Sequence, residues 1–380
     1  MSQVRQIPTL RFSEFSEDWE INPFKNLVKI SQGLQINISD RLIEQEEGSL
    51  FYITNEFLRE KSEKKYFIKN APESVICDKD DVLMTRTGNT GKVVTNVKGA
   101  FHNNFFKIAY PKSINKDFLV NFLNLQQTQN FILRLAGTST IPDLNHSDFY
   151  KINFVYPKKE EQQKIASFLS SVDEKINLLQ QKKTLLEDYK KGVMQQIFSQ
   201  ELRFAPKEGG EYPEWEEKKL GEVATKESSN ISANKIEENI GKYKIYGASG
   251  LLKKIDFYRE EKSYISIVKD GAGVGRTLLC EAKSSVLGTL DIIKPKINAN
   301  LYFIYSLLNN IDFTKYITGS TIPHIYFKHY SKEKIKIPSI KEQTQIANFL
   351  SALDEKIGLV SSQIENTQEF KKGLLQQMFV

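Results

Sequence analysis

Only two cysteines, Cys77 and Cys280, occur in 380 residues, and their spacing fits neither a zinc site nor a redox motif. That excludes a disulfide framework and makes a reducing, cytoplasmic setting the expected one. Histidine is scarce too. His102, His146, His324 and His329 have no cysteine or carboxylate at ligand spacing, which argues against a metal centre. No Gly-x-Ser-x-Gly elbow is present. No window is apolar and long enough to span a bilayer, and the opening MSQVRQIPTLRF lacks the apolar run of a signal peptide. Charge is nearly balanced at 53 Lys and Arg against 47 Asp and Glu, a net +6 that permits a polyanionic partner without demanding one. A hydrophobic content of 40% supports real cores, and the length suits two domains or more.

Two stretches imitate catalytic motifs. Asp270-Gly-Ala-Gly-Val-Gly275 resembles a dinucleotide or S-adenosylmethionine fingerprint, but that chemistry needs a helix N-terminus after the glycines. The residues that follow, RTLLC, read as a strand, so a glycine turn between strands is expected. Gly88-Asn-Thr-Gly-Lys92 lacks the spacing and the Ser/Thr of a phosphate-binding loop. A Pro-Pro-aromatic run of the kind amino-methyltransferases place beside a flipped base is missing from both halves. Pro142-Asp143 hints at a nuclease, yet Asp188 and Lys190 lie on a long helix and could not converge with Asp143 around a metal. The chain reads as non-catalytic.

What is abundant is repetition. Residues 161–198 recur as 342–379 without a gap, Glu161 answering to Glu342 and Lys191 to Lys372 at one offset of 181. In the first copy Ile165, Leu169, Val172, Ile176, Leu179, Leu186, Val193 and Ile197 form one apolar stripe. Ile346, Leu350, Leu353, Ile357, Val360, Ile364, Leu374 and Met378 do the same in the second. Each copy is therefore predicted to be a long helix with a coiled-coil seam, roughly 55 Å long at ~1.5 Å per residue. So narrow a stripe buries little alone, and the cheapest partner is the other copy, related by a pseudo-two-fold axis. Asp173-Glu174-Lys175 recurs as Asp354-Glu355-Lys356, either a solvated face or a shared partner surface.

The duplication extends upstream. Ser139-Thr140-Ile141-Pro142 maps on Ser320-Thr321-Ile322-Pro323, and Pro157 on Pro338, each proline ending a short strand. Each half opens with Arg-Phe before a tryptophan: Arg11-Phe12 then Trp19, and Arg203-Phe204 then Trp215. Residues 81–111 and 263–295 both read strand, glycine turn, strand, second turn, strand. Helical spacing predicts one helix at 117–135 and another at 301–316, and 204–212 reads as a linker. The expected fold class is α+β. Two pseudo-symmetric mixed domains (1–157 and 201–338) are joined by two long helices forming a coiled coil (158–200 and 339–380). The polar loops offer nucleic-acid chemistry: Thr85, Arg86, Thr87, Asn89 and Lys92 in one half, Lys269, Asp270 and Arg276 in the other, with Tyr246 and Ser249 nearby in sequence. Arg and Lys pair with guanine, Asn with adenine, and Ser/Thr with phosphates or bases.

Taken together, the Arg-Phe…Trp openings, the Ser-Thr-Ile-Pro elements, the Glu-Gln…Ile-Ala-x-Phe-Leu-Ser-x-x-Asp-Glu-Lys-Ile helix starts and the Lys-Lys-Gly…Gln-Gln-x-Phe helix ends resemble the specificity (S) subunits of type I restriction–modification enzymes. All occur in duplicate and span nearly the whole chain. The resemblance implies two target-recognition domains joined by two antiparallel conserved helices, each domain reading one half of an asymmetric bipartite site in double-stranded DNA and the helices fixing the spacer. It implies two methyltransferase subunits docked on the chain, with the Asp173–Lys175 and Asp354–Lys356 triplets as their interface, and two restriction subunits. S-adenosylmethionine, ATP and Mg²⁺ would serve those partners. Ser139, Thr140, Ser320 and Thr321 join the loop residues as expected DNA contacts. Two other readings stay open at this point: the specificity subunit of a fused nuclease–methyltransferase system, and a coiled-coil scaffold with two protein-binding domains.

Overall fold

The computed structural model describes residues 7–59, 62, 64–137, 140–206 and 208–380. Two compact units emerge: Met1–Leu178 with Ile364–Val380, and Leu179–Gln363. Each unit contains part of each of the two long helices. None of the described helices is long and apolar enough to cross a membrane.

In the first unit, a four-stranded antiparallel sheet runs in the order Lys29–Gln32, Phe105–Ala109, Val82–Thr85, Val93–Val94. A second small sheet orders Phe67–Ile68, Leu50–Ile53, Gly99–Phe101 and Ile76–Cys77, with the middle pair parallel. The short strand Asn153–Tyr156, ended by Pro157, pairs with Glu20–Pro23. Phe24, Phe118, Phe122, Phe149 and Phe154 fill the core beneath.

The second unit repeats the plan. Ala224–Ser228, Leu290–Pro295, Tyr264–Val268 and Thr277–Cys280 make the equivalent sheet in the same order. Gly250–Ile255, Tyr243–Gly247 and Ser285–Val286 make the small one, again with one parallel pair. Lys334–Ile337 pairs with Glu216–Lys219.

Two expectations need correction. The single helix over 117–135 is two helices, Lys116–Asn124 and Gln126–Ala136. Leu125 adopts extended backbone between them and is buried, while the Gln129 amide donates to the Leu123 carbonyl at 2.6 Å and replaces the lost helical bond. The helix over 301–316 likewise stops at Asn310, and a 3₁₀ turn, Phe313–Tyr316, restarts after Asp312, whose carboxylate accepts from the Thr314 N–H.

The long helices are Lys159–Phe198 and Ile340–Met378. The predicted stripe is buried at Ile165, Leu169, Val172, Ile176, Val193 and Ile197, and at Ile346, Leu350, Leu353, Val360, Leu374 and Met378. Leu179, Leu186, Ile357 and Ile364 are half-buried. In the first unit the start of one helix packs with the end of the other, Leu169 and Val172 sharing a core with Leu374 and Met378. In the second unit Val193 and Ile197 share one with Ile346 and Leu350. Packing start against end is antiparallel pairing in each unit.

The repeated N-terminal residues form a latch on each helix. Glu161 is 2% exposed and takes two 2.7 Å bonds from Arg11 Nε and Nη2, plus a longer one from Trp19 Nε1. Glu342, fully buried, receives Arg203 through Nε at 3.3 Å and Nη2 at 3.0 Å. Gln162 and Gln343 are pinned to backbone on both sides: Gln162 accepts from Asn115 N–H and donates to the Pro157 carbonyl, Gln343 from Asn300 N–H and to Pro338. Phe12 meets Phe168 edge-on, and Phe204 meets Phe349.

Burial and the nearby Arg41 charge pull the His102 imidazole down to about 4 from its ordinary 6.5. Its Nδ1 accepts from the Asn104 N–H, which a protonated ring cannot do. The unfolded chain therefore binds a proton that the folded first unit refuses. Stability is full above the unfolded value and falls as pH drops from 6.5 toward about 4. Urea midpoints across this window should decline for the wild type and flatten in His102→Gln. Parallel slopes would show that other groups carry the acid response.

Candidate nucleic-acid interface

In both units the glycine loop and the Ile-Pro segment, about 50 residues apart in sequence, are joined by the same main-chain bonds. Thr87 bridges Asp143 in the first unit, and Asp270 bridges His324 in the second. Leu144 N–H donates to the Arg86 carbonyl at 2.8 Å, and Ile325 N–H to Lys269 at 3.0 Å. The loops close alike: Gly91 N–H donates to Thr85 at 2.8 Å and Gly275 N–H to Val268 at 2.9 Å, with both glycines at positive φ. A Cβ on Gly275 would stand 2.7 Å from Phe313 Cβ. Both loops run into strands rather than a helix N-terminus, so neither offers the dipole-backed amides of a nucleotide cradle.

The expected contact residues separate into builders and surface groups. Thr85, read from sequence as a DNA contact, is fully buried, and its hydroxyl is spent on Asn89 O and Lys92 N–H inside the loop. Tyr246 is likewise corrected to a core residue. It packs with Tyr264 and Val268, and burial pushes its phenol up. Asn89 and Lys92 are exposed, and Thr87 is half-buried. Thr140, Ser249, Ser320 and Thr321 are exposed, while Ser139 lies outside the described residues. Arg276 is exposed and donates to the Ala248 carbonyl at 3.1 Å, which ties the Tyr246–Ser249 segment to the loop.

At the centre of each junction the side chains have diverged. In the first unit Arg86 Nη2 pairs with Asp143 Oδ2 at 2.6 Å, and the guanidinium lies 5.8 Å from the centroid of the Phe106 ring. His146 stacks on the same ring. In the second unit the strand register puts Lys269 where Arg86 stands and Asp291 where Phe106 stands. Asp291, 4% exposed, accepts from Ser228 at 3.0 Å and pairs with Lys269 at 3.3 Å, with Lys226 at 3.9 Å. These groups line a cleft of about 600 Å³, walled by Ile325, Tyr326 and Lys328. The first unit fills the position with a ring; the second opens it around a buried carboxylate.

Two supporting residues were not foreseen. Thr90 Oγ1 sits 2.6 Å from the Pro142 carbonyl and clips the loop to the Ile-Pro segment, the task Gly271 N–H performs on Pro323 at 2.9 Å. Asn55 donates to the Thr87 carbonyl at 3.0 Å from beneath. Thr90 stands within a motif-like string, but Asn55 carries no sequence signal.

On the helices, Asp173 is held by Lys371 at 2.6 Å and Asp354 by Lys190 at 2.5 Å. Tyr302 also donates to Asp354. Lys371 and Lys190 are themselves equivalent, so the aspartates of the repeated triplets stitch helix to helix. Glu174, Lys175, Glu355 and Lys356 remain exposed.

The family profile described as the type I restriction modification DNA specificity domain matches residues 16–188 and again 212–368. The MjaVIII specificity subunit of Methanocaldococcus jannaschii is 24% identical over 94% of this chain and 91% of its own length. A putative type I specificity subunit of Mycoplasma pneumoniae is 28% identical over 64% of this chain and 65% of its own. Among solved structures, the type I restriction–modification S subunit from M. genitalium superposes with a TM-score of 0.65 at 18% identity, covering 98% of this chain and 99% of that one. Two copies of the domain, a match to a specificity subunit over 94% of the chain and the shared fold lead to one assignment: this chain belongs to the type I restriction–modification DNA specificity family.

Proposed function

We propose that the chain is the non-catalytic DNA-specificity subunit of a type I restriction–modification complex, each unit reading one half of an asymmetric bipartite duplex site. The observation that carries this is the repeated junction. Identical main-chain bonds hold a polar loop against an Ile-Pro segment in both units, while the side chains at its centre differ, Arg86 over Phe106 against Lys269 on Asp291. A common scaffold with unlike chemistry suits two readers of unlike sequences. Arg86, Asn89 and Lys92 would face one half-site, with Thr140 beside them. Lys269, Asp270, Arg276 and Ser249 would face the other, with Ser320 and Thr321.

The long helices would set the unread spacer and seat two methyltransferase subunits. Supporting this, large apolar side chains stay in solvent at equivalent positions: Leu178 and Phe370 in the first unit, Leu359 and Tyr189 in the second, more than half exposed in each case. Flanked by the exposed Glu174, Lys175, Glu355 and Lys356, they suit an amphipathic partner surface. Two restriction subunits would complete the nuclease. S-adenosylmethionine, ATP and Mg²⁺ would act in the partners.

The test is co-expression with the methyltransferase subunit and mapping of methylated sites across a genome. Replacing residues 1–157 with a homologous domain should change one half of the methylated sequence and leave the other. An unaltered target, or methylation without a bipartite consensus, would reject the reading.

A further inference from the structure

We propose that Ile141 and Ile322 are DNA wedges, apolar side chains that enter a base step in each half-site and ease the target base out of the stack; this rests on the DNA-reading function above. Both are large, aliphatic and mostly in water, at 65% and 59% exposure, and they occupy equivalent positions of the repeat. Loop isoleucines scattered over a surface need no explanation singly. These two recur on a segment whose other apolar residue is buried: Leu144 at 0% and Ile325 at 2% anchor it three positions on.

The segment is stiff. Each isoleucine precedes a proline, which restricts its backbone to extended conformations. The proline carbonyl is then held by Thr90 Oγ1 in one unit and Gly271 N–H in the other, and the next residue is bridged to the glycine loop. A rigid mount that keeps an aliphatic side chain out of the core, on a segment bonded to Arg86 in one unit and to Lys269 in the other, has the parts of a wedge. Basic groups and the preceding Thr140 and Thr321 hydroxyls meet the backbone, and the apolar tip enters the stack. Enzymes that modify a base must first extrude it, so a subunit that loosens the step lowers the cost its methyltransferase partner faces.

The experiment uses the assembled complex of the full chain with methyltransferase subunits and duplexes carrying its mapped site, with 2-aminopurine placed in one half or the other. Ile141→Ala should abolish the fluorescence rise in one half-site and slow methylation there about tenfold or more, the scale of one lost aliphatic contact. The other half should be untouched. Ile322→Ala should do the reverse, and Ile→Leu at either position should retain the signal. The proposal is overturned if both alanine variants keep wild-type fluorescence and methylation. It is equally overturned if they weaken methyltransferase assembly without DNA, because the isoleucines would then be protein contacts. A wild-type complex with no preference for any duplex would instead remove the underlying DNA reading, an outcome distinguishable because it appears before any substitution is made.

Discussion

Glu161→Ala should destabilise the first unit by about 3 kcal/mol, because it leaves the Arg11 guanidinium, only 11% exposed, without its carboxylate. The loss exceeds that of a surface ion pair, which is worth roughly 0–1 kcal/mol, since Glu161 is almost wholly removed from water and accepts three donors. Glu342→Ala should cost less, about 2 kcal/mol. Its arginine is 23% exposed, its bonds are longer, and Trp215 Nε1 has no hydrogen-bond partner among the described residues where Trp19 reaches its glutamate. Each unit holds one tryptophan, so fluorescence-detected urea unfolding, with the other tryptophan changed to phenylalanine, follows each unit separately. Glu161→Gln should fall between, keeping acceptor geometry on one oxygen while losing the charge. A midpoint unchanged in Glu161→Ala would mean that water reaches Arg11 and the latch contributes nothing.

That latch marks the limit of what could be read from the chain alone. Arg-Phe…Trp and Glu-Gln each recur in both halves, Glu-Gln at the offset that carries the helices and Arg-Phe…Trp at a longer one, so both are visible as repeated, but nothing local states that Arg11 reaches 150 residues to Glu161. The long helices were legible because periodicity is a local signal that the apolar seam obeys residue by residue. The strand order of both sheets was not, since pairing Lys29–Gln32 with Phe105–Ala109 depends on contacts between distant segments. The break at Leu125 was missed because QQTQNFIL continues the helical spacing, and only the side chain of Gln129 compensates the interruption. In the candidate interface, the loops and the Ser-Thr-Ile-Pro elements were found separately by their repetition. Their junction is a tertiary fact. Thr85 and Tyr246, expected at the surface, are buried for one reason: a polar residue near the end of an inner strand can be closing a turn or lining a core, and composition does not distinguish the two.

Divergence at the junction yields the sharpest functional contrast. Arg86→Ala should weaken recognition of one half-site about 10- to 100-fold, the worth of a bidentate guanidinium contact, and leave the other intact. Arg86→Lys should rescue poorly, because the fork is pre-aimed by Asp143 and the Phe106 face, and an ammonium cannot use either in the same way. The second unit should answer differently. Asp291 neutralises Lys269 and stands near Lys226, so Asp291→Asn frees cationic charge inside the cleft instead of removing it. Binding to any duplex should then tighten and its salt dependence steepen by up to about one or two phosphate equivalents, while discrimination within that half-site falls. Affinity and specificity would move in opposite directions, which no simple loss of a contact produces. Competition binding of the assembled complex at two salt concentrations, with each half-site scrambled in turn, separates the cases. If Asp291→Asn merely weakened binding everywhere, the carboxylate would be holding up the fold of the cleft, and the lysines it restrains would not be facing DNA.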